Sequence, residues 1–235
     1  MDAGRGVADH LDVFRRAGVV LVVAVAAVVG QASPAAAAVT GFTDPFASLD
    51  PARWAVGEHR LGRSLLDPAN VAVAAGALEL RHPAGTLDGA EVRTAALQGS
   101  GRYRARIHAA AAPSSLTGFF LYAPPDYASE VDIEILNDAS GTVLLSTYAN
   151  GRQTHTETRA LGFDPTAAFH DYEIELARKT ATFRVDGVAL RSWKNGVPTA
   201  PMALYLNSWF PSWLAGTPSP GAATRVDEVT VTPGS

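Results

Sequence analysis

Ser129-Glu130-Val131-Asp132-Ile133-Glu134-Ile135-Leu136 alternates between carboxylate and aliphatic side chains. This alternation with a period of two predicts a β-strand. Because successive side chains of a strand point to opposite faces, the three acids share one face and the aliphatic residues share the other. Like charges on one face repel each other, so such a row is a way to hold two working carboxyl groups with different proton affinities.

The spacing of the two glutamates suits a pair of reacting carboxyl groups. Four residues at about 3.3 Å each separate the Cα atoms of Glu130 and Glu134 by about 13 Å. Side chains that lean toward each other bring the carboxyl groups to about 5–5.5 Å, the spacing of a retaining glycosidase. Asp132 is one methylene shorter and could hydrogen-bond a neighbouring glutamate. From spacing alone, a solvated acidic strand face is an equally good interpretation.

Composition limits the class of protein. The 235 residues suffice for one domain with a sizeable core. The net charge is −4 and the lysines and arginines form no cluster, so we expect no nucleic-acid partner. The chain has no cysteine, which excludes disulfides, thiolate catalysis and cysteine-ligated zinc.

The N-terminal residues predict a secretory signal peptide over 1–38. Arg15-Arg16 precedes an apolar run from 17 to 29, and small residues follow at 35–38. The apolar run is shorter than the roughly 20 residues that span a bilayer, although an uncleaved anchor is the alternative. We therefore expect a secreted, extracellular protein with a single domain over 39–235 and no membrane association after cleavage.

The rest of the chain predicts an all-β fold. Short alternating apolar segments recur between turn residues, and no helical periodicity is sustained. Asp186-Gly187 between two such segments is a hairpin signal. This pattern is typical of a β-sandwich or a jelly roll. The predicted strands cover 71–73, 77–81, 91–94, 103–108, 118–123, 130–136, 143–148, 172–176, 182–185, 188–192, 202–209 and 225–232.

From Phe42 onward, the chain resembles glycoside hydrolase family 16. The catalytic-strand motif of that family matches 130–134, in the version without an inserted bulge residue that is typical of the lichenase-like and xyloglucan-active branches. Further segments resemble the family in order and spacing. They are Phe42-Thr43-Asp44-Pro45, Glu91-Val92-Arg93-Thr94, Gly101-Arg102-Tyr103, Ser146-Thr147-Tyr148-Ala149-Asn150-Gly151, Leu161-Gly162-Phe163-Asp164, Phe169-His170-Asp171-Tyr172, Phe183-Arg184-Val185-Asp186-Gly187 and Asn207-Ser208-Trp209.

This resemblance implies a β-jelly roll with two curved antiparallel sheets and a sugar cleft across the concave one. It implies that Glu130 is the nucleophile, that Glu134 is the acid/base and that Asp132 tunes the nucleophile. The activity implied is that of a secreted retaining endo-β-glucanase on β-1,3-1,4- or β-1,3-glucan, with the polysaccharide as partner and a monomer as the expected state. The alternatives are a xyloglucan-active or other polysaccharide hydrolase or transglycosylase of the family, and a non-catalytic carbohydrate-binding jelly roll.

Aromatic and polar residues of the matching segments are candidates for sugar binding. Sugar rings stack on aromatic side chains while their hydroxyls bond to polar groups. Each candidate also has a structural interpretation. Examples are loop packing for Trp213, a turn for Asn150 and an ion pair for Arg93. The candidates are Tyr148, Asn150, Asn207, Trp209, Trp213, Tyr122 and Arg93.

The resemblance also raises a structural calcium site, although no cofactor is required for the chemistry. Lichenase-like members hold calcium through backbone carbonyls and one aspartate, and the matching positions are Pro45, Gly76 and Asp227. Backbone and carboxylate oxygens are suitable ligands for calcium. The chain departs from the lichenase pattern at Arg104, at Leu176 and over 58–69, which leaves the glucan specificity open.

Overall fold

Strands dominate the structure, as the sequence predicts. The computed structural model describes residues 41–218 and 221–234. Within these ranges the only helix is a short 3₁₀ turn at Pro68–Asn70, and no helix is long and apolar enough to cross a membrane. The strands are β1 (Phe42–Asp44), β2 (Trp54–Val56), β3 (His59–Leu61), β4 (Ser64–Leu66), β5 (Val71–Ala74), β6 (Ala77–His82), β7 (Ala90–Thr94), β8 (Gly101–His108), β9 (Leu116–Ala123), β10 (Ser129–Leu136), β11 (Thr142–Ala149), β12 (Arg152–Ala160), β13 (His170–Ala177), β14 (Thr180–Val185), β15 (Val188–Lys194), β16 (Ala203–Trp209) and β17 (Ala222–Pro233).

Two large antiparallel sheets make up the fold. The eight-stranded sheet has the order β15-β14-β13-β8-β17-β6-β5, and β1 also pairs with β17. The seven-stranded sheet has the order β12-β11-β10-β9-β16-β7-β2, and β3 and β4 form a separate hairpin. Many neighbours are distant in sequence, such as β9 and β16, or β8 and β17. The architecture is a β-jelly roll, which confirms the predicted fold class.

The hydrophobic core lies between the two sheets, and β10 contributes its aliphatic face to it. Val131, Ile133 and Ile135 are fully buried and belong to one cluster with Tyr103 and Ile174 of the eight-stranded sheet. Each such aliphatic side chain contributes about 1.5–3 kcal/mol when it leaves water. Because this face of β10 is fixed in the core, the alternate residues must face away from it.

The structure also contains strands that the sequence analysis missed. β12 is rich in polar residues, and β3 and β4 have only three residues each, so none of them shows the alternation that marks a half-buried strand. The turn predicted at Asp186-Gly187 is confirmed, with positive φ at both residues and β14 and β15 paired on either side. The predicted signal peptide lies outside the described residues, and its boundary with the domain stays a prediction.

Candidate active site

The three acids of the central strand lie on the face of the seven-stranded sheet that points away from the core. Glu130 and Glu134 are partly exposed, whereas Asp132 between them is buried. β10 pairs with β9 on one side and with β11 on the other, so each acid has two direct cross-strand neighbours. The three acids and their cross-strand neighbours therefore form three parallel rows of side chains across the sheet. This face, which the family resemblance assigns to the sugar, is called the cleft below.

Two tyrosines flank Glu130 in the first row. Tyr122 of β9 and Tyr148 of β11 lie directly opposite Glu130 on its two sides. The Tyr122 hydroxyl donates to Oδ1 of Asp126 at 2.7 Å, and the Tyr148 hydroxyl accepts from Nε2 of Gln153 at 3.0 Å. Burial raises the pKa of both tyrosines, and the charge of Glu130 raises them further. Both phenols therefore stay protonated as hydrogen-bond donors.

An aromatic floor occupies the middle row. Asp132 lies opposite Phe120, which in turn lies opposite Tyr205 of β16. The Phe120 and Tyr205 rings stack with their centroids 4.9 Å apart and their planes 19° apart. Arg93 of β7 continues this row beyond Tyr205 and is exposed, and Ser146 continues it on the other side of Asp132. The predicted Arg93 thus shares a row with the acids but lies three strands from them.

The third row contains Glu134, Gly118 and Asn207 in neighbouring positions on β10, β9 and β16. Asn207 is only 2% exposed, and its Nδ2 donates to Oε2 of Glu91 at 3.2 Å. Glu91 is itself buried on β7. The predicted Asn207 is therefore brought next to the acids, and Glu91 behind it was not singled out from the sequence.

Crowding of the acids controls their protonation. Burial, and then the charge of Glu134, raise the pKa of Glu130 to about 8, and Asp126 adds to this effect. Burial, and then the charges of Glu130 and Glu134, hold the pKa of Asp132 well above its usual value. The two carboxyl groups share a hydrogen bond that lowers the pKa of Glu130 and raises that of Asp132. When the pair carries a single proton, these opposite effects favour that proton on Asp132, which then donates to Glu130.

The β3–β4 hairpin forms the wall of the cleft on the Glu134 side. Trp209 is 7% exposed and packs with Leu66 and Leu116 in a small apolar cluster, against which Trp213 also packs. A Cβ atom at Gly62 would lie 2.6 Å from Cζ3 of Trp209, so only glycine fits at this hairpin turn. Both predicted tryptophans therefore lie beneath or beside the hairpin rather than in the rows of the acids.

The predicted Asn150 lies at the edge of the sheet. It occupies the turn between β11 and β12 with a φ of 56° and is exposed. Its backbone N–H donates to the carbonyl of Ala128 at 3.1 Å, which ties the turn to the loop before β10. The structure therefore gives Asn150 a backbone role, and a contact with sugar stays a prediction.

Comparison with known proteins identifies the chain. The family model for glycosyl hydrolases family 16 matches residues 63–226, which is more than half of the sequence. The chain belongs to this family. A β-glucanase of Bacillus subtilis is 31% identical over 136 residues, which cover 56% of each protein. The chain thus spans about half the length of this curated relative.

Solved structures share the fold of this family 16 protein. The Bacillus licheniformis β-glucanase superposes with a TM-score of 0.76 at 22% identity, over 83% of this chain and 99% of that one. A prokaryotic β-1,3-1,4-glucanase (lichenase) from a mouse hindgut metagenome superposes with a TM-score of 0.74 at 25% identity, over 83% of this chain and 100% of that one. The likeness supports the jelly-roll assignment.

The calcium positions implied by the family can be tested against the local structure. Asp227 lies where the register of β17 shifts between its pairings with β8. Its Oδ2 accepts from Arg106, whereas its Oδ1 is buried and has no hydrogen-bond partner in the described part of the chain. Pro45 follows β1, which pairs with β17, and Gly76 lies in the turn between β5 and β6. A buried carboxylate oxygen without a protein partner suits a hard cation, so this oxygen fits a calcium ligand.

Within the described ranges, no group of three or more histidine, aspartate or glutamate side chains is arranged to hold a metal ion. A calcium ion at Asp227 would therefore depend on backbone carbonyls for most of its ligands. It would lie on the eight-stranded sheet, away from the rows of the acids, so its contribution would be to stability.

Proposed function

We propose that this protein is a retaining endo-β-glucanase that acts on β-1,3-1,4- or β-1,3-glucan. The observation that carries the proposal is the arrangement of Glu130 and Glu134 on one face of β10, with the buried Asp132 between them. One rigid strand holds both glutamates, so their separation is fixed by the strand geometry at about 13 Å between Cα atoms. Two carboxyl groups that lean toward each other from that distance suit a double displacement with retention.

In the first step, the Glu130 carboxylate attacks the anomeric carbon of the glucosyl unit. The bond to the glycosidic oxygen breaks, and Glu134 donates its proton to that oxygen. The hydrogen bond with Asp132 lowers the pKa of Glu130 and so favours the carboxylate that attacks. The Phe120–Tyr205 stack beneath the row provides an apolar surface for sugar rings.

In the second step, water hydrolyses the glycosyl–Glu130 ester. Glu134, now ionised, accepts a proton from the water, whose oxygen attacks the anomeric carbon and releases the Glu130 carboxylate. Both steps invert the anomeric centre, so the product retains the configuration of the substrate. The protein returns to its starting protonation state with one proton on Glu134.

The test is hydrolysis of a panel of polysaccharides. The purified domain is incubated with lichenan, laminarin, xyloglucan and agarose, and new reducing ends are measured. We expect activity on lichenan or laminarin, and we expect Glu130→Gln and Glu134→Gln each to abolish it while the circular dichroism spectrum is retained. Full activity in either variant would remove the assignment.

The panel also separates the alternatives. Cleavage of xyloglucan alone would indicate the xyloglucan-active branch, and longer products from added acceptor sugars would indicate transglycosylation. Binding without any new reducing ends would indicate a carbohydrate-binding jelly roll. The lichenase likeness at 25% identity and the β-glucanase relative, which matches over 136 residues, support the glucanase.

We further propose that the protein is exported and acts as a monomer. The Arg-Arg pair and apolar run within 1–38 support export. Mass spectrometry of the protein from culture medium should find a chain that begins near residue 39. A full-length chain retained in the membrane fraction would contradict this proposal, and light scattering would give the oligomeric state.

A further inference from the structure

A buried hydrogen bond behind the cleft fixes the direction of an amide. Oε2 of Glu91 accepts from Nδ2 of Asn207 at 3.2 Å, and both side chains are nearly inaccessible. An ionised carboxylate can only accept hydrogen bonds, so it selects the NH₂ end of the amide. The carbonyl end of Asn207 is thereby turned away from Glu91.

The carbonyl end of this amide points over a glycine. Asn207 and Glu134 lie on opposite sides of Gly118 in the same row. A Cβ atom at Gly118 would overlap Oδ1 of Asn207, so the amide oxygen occupies the space where a side chain of β9 would otherwise lie. Neighbouring strands are about 4.8 Å apart, so this oxygen is within reach of the flexible Glu134 side chain.

The same oxygen needs a donor. Oδ1 of Asn207 is buried and has no hydrogen-bond partner in the residues that the structure covers. A buried acceptor without a partner destabilises the site, and a donor in the loaded cleft would remove this penalty. The only protein group that must donate a proton beside Gly118 during the proposed reaction is the Glu134 carboxyl group.

We propose that Glu91 is a positioning residue, which orients Asn207 so that its Oδ1 accepts a hydrogen bond from the protonated carboxyl group of Glu134. This inference rests on the proposed function, since it concerns the acid step of that reaction. The bond holds the proton on Glu134 and aims the carboxyl group toward the glycosidic oxygen. Glu91 itself touches neither the proton nor the leaving group.

The surroundings of Glu91 raise its pKa overall. Burial raises its pKa, and the charges of His59 and Arg93, together with the Asn207 hydrogen bond, lower it. His59 Nδ1 lies 4.0 Å from Oε1 of Glu91 at the cleft wall. The titratable groups beside Glu134 on β10 are Glu130 and Asp132. When Glu91 becomes protonated in acid, the selection of the NH₂ end is lost.

The experiment compares two leaving groups in the Glu91→Gln variant. A glutamine has the same shape but can accept or donate, so Asn207 is no longer held in one orientation. We expect kcat/KM on lichenan to fall roughly tenfold, below the 10²–10⁴ that a general acid contributes. On a dinitrophenyl β-glucan oligosaccharide, whose leaving group departs without a proton, we expect kcat/KM to match the wild type.

Three further variants complete the comparison. Glu134→Gln should also lower kcat/KM on lichenan but not on the dinitrophenyl substrate, and its loss on lichenan should be larger. Gly118→Ala displaces the amide oxygen from the other side and should reproduce the selective loss, so the test survives if Glu91→Gln fails to fold. Glu79→Gln, a buried acid of the eight-stranded sheet that pairs with Arg81, is the matched control and should change neither rate.

The outcomes separate this inference from the proposed function. Equal losses on both substrates, no loss on either, or a selective loss in Glu79→Gln would overturn the inference. If Glu134→Gln discriminates between the leaving groups but Glu91→Gln and Gly118→Ala do not, only the inference fails. If the wild type releases no reducing ends from any glucan, the proposed function itself fails.

Discussion

Asp132 lies two positions from Glu130 on the same face of β10, and the two carboxyl groups interact through a hydrogen bond. The bond lowers the pKa of Glu130 and raises that of Asp132, although both groups are crowded by burial and by Glu134. Three carboxyl groups on one face cannot all be ionised, and this bond determines where the shared proton lies. When the pair carries one proton, the residue proposed as the nucleophile is therefore the one that bears the negative charge.

The first prediction concerns that bond. Asp132→Ala should lower kcat by about 10²-fold, the cost of removing one hydrogen-bond donor from a charged group in an active site. Asp132→Asn should recover most of the loss, because its amide still donates to Glu130. Steady-state kinetics on lichenan measures both variants. If the asparagine variant were as impaired as the alanine variant, donation to Glu130 would not be the role of Asp132.

The second prediction concerns pH. The charge of Asp126 contributes to the raised pKa of Glu130, so its removal in Asp126→Asn lowers that pKa. Because Glu130 must be ionised to attack, the acidic limb of the kcat/KM profile should move to lower pH. The side-chain oxygen of the asparagine still accepts a hydrogen bond from the Tyr122 hydroxyl, which keeps the loop in place. Asp50→Asn, an exposed acid whose Oδ1 accepts from the backbone of Ala52, should leave the profile unchanged.

The third prediction concerns the cleft wall. The Arg63 guanidinium donates to four backbone carbonyls, at 2.7–3.2 Å, and so joins the hairpin to two other segments. Arg63→Met should cost about 2 kcal/mol, since bonds from charged donors are worth about 1.5–3 kcal/mol each and this group is partly exposed. At roughly 2–4 °C per kcal/mol, Tm should fall by about 5 °C.

The kinetic part of that prediction follows from position. A loosened hairpin should raise KM for lichenan while kcat changes little, because the acids on β10 do not move with the hairpin. Arg60→Met, on the exposed side of the same hairpin, is the control and should leave both Tm and KM unchanged. A fall in kcat at constant KM would show that the hairpin affects the reacting groups directly.

The fourth prediction concerns the proposed calcium site. Calcium at a concentration far above its Kd should raise Tm, and a chelator should reverse the shift. Asp227→Asn should abolish the response, because it removes the negative charge of the carboxylate whose Oδ1 has no partner in the described part of the chain. Glu228→Gln changes the adjacent acid, which pairs with Arg104, and should keep the response. An unchanged Tm with calcium in the wild type would argue against the site.

The fold was predictable where one face of a strand is buried. Val131, Ile133 and Ile135 mark β10 clearly, since their alternation reflects the core. β12 at the edge of the seven-stranded sheet carries mostly polar residues on both faces, so its sequence has no such signature. The β3–β4 hairpin is equally unmarked, because its stability comes from Arg63 and from packing on Trp209.

The site was predictable along β10 but not across the sheet. Glu130, Asp132 and Glu134 share a face through local geometry alone. Phe120, Tyr205 and Glu91 join them only through the pairing of β9, β16 and β7, and cross-strand register cannot be obtained from one sequence. For the same reason, burial of Trp209 beneath the hairpin could not be foreseen from its place beside Asn207.

Adjacent residues of β10 have different roles, because they lie on opposite faces of the strand. The aliphatic side chains stabilise the fold by packing in the core. Variants at these positions should therefore regain function when the growth or assay temperature is lowered. The acidic side chains take part in the proposed reaction rather than in packing. Lowering the temperature should therefore not restore the activity of variants at these positions. A complete mutational scan of residues 129–136 at two temperatures should therefore produce a thermal-rescue pattern that repeats every second residue.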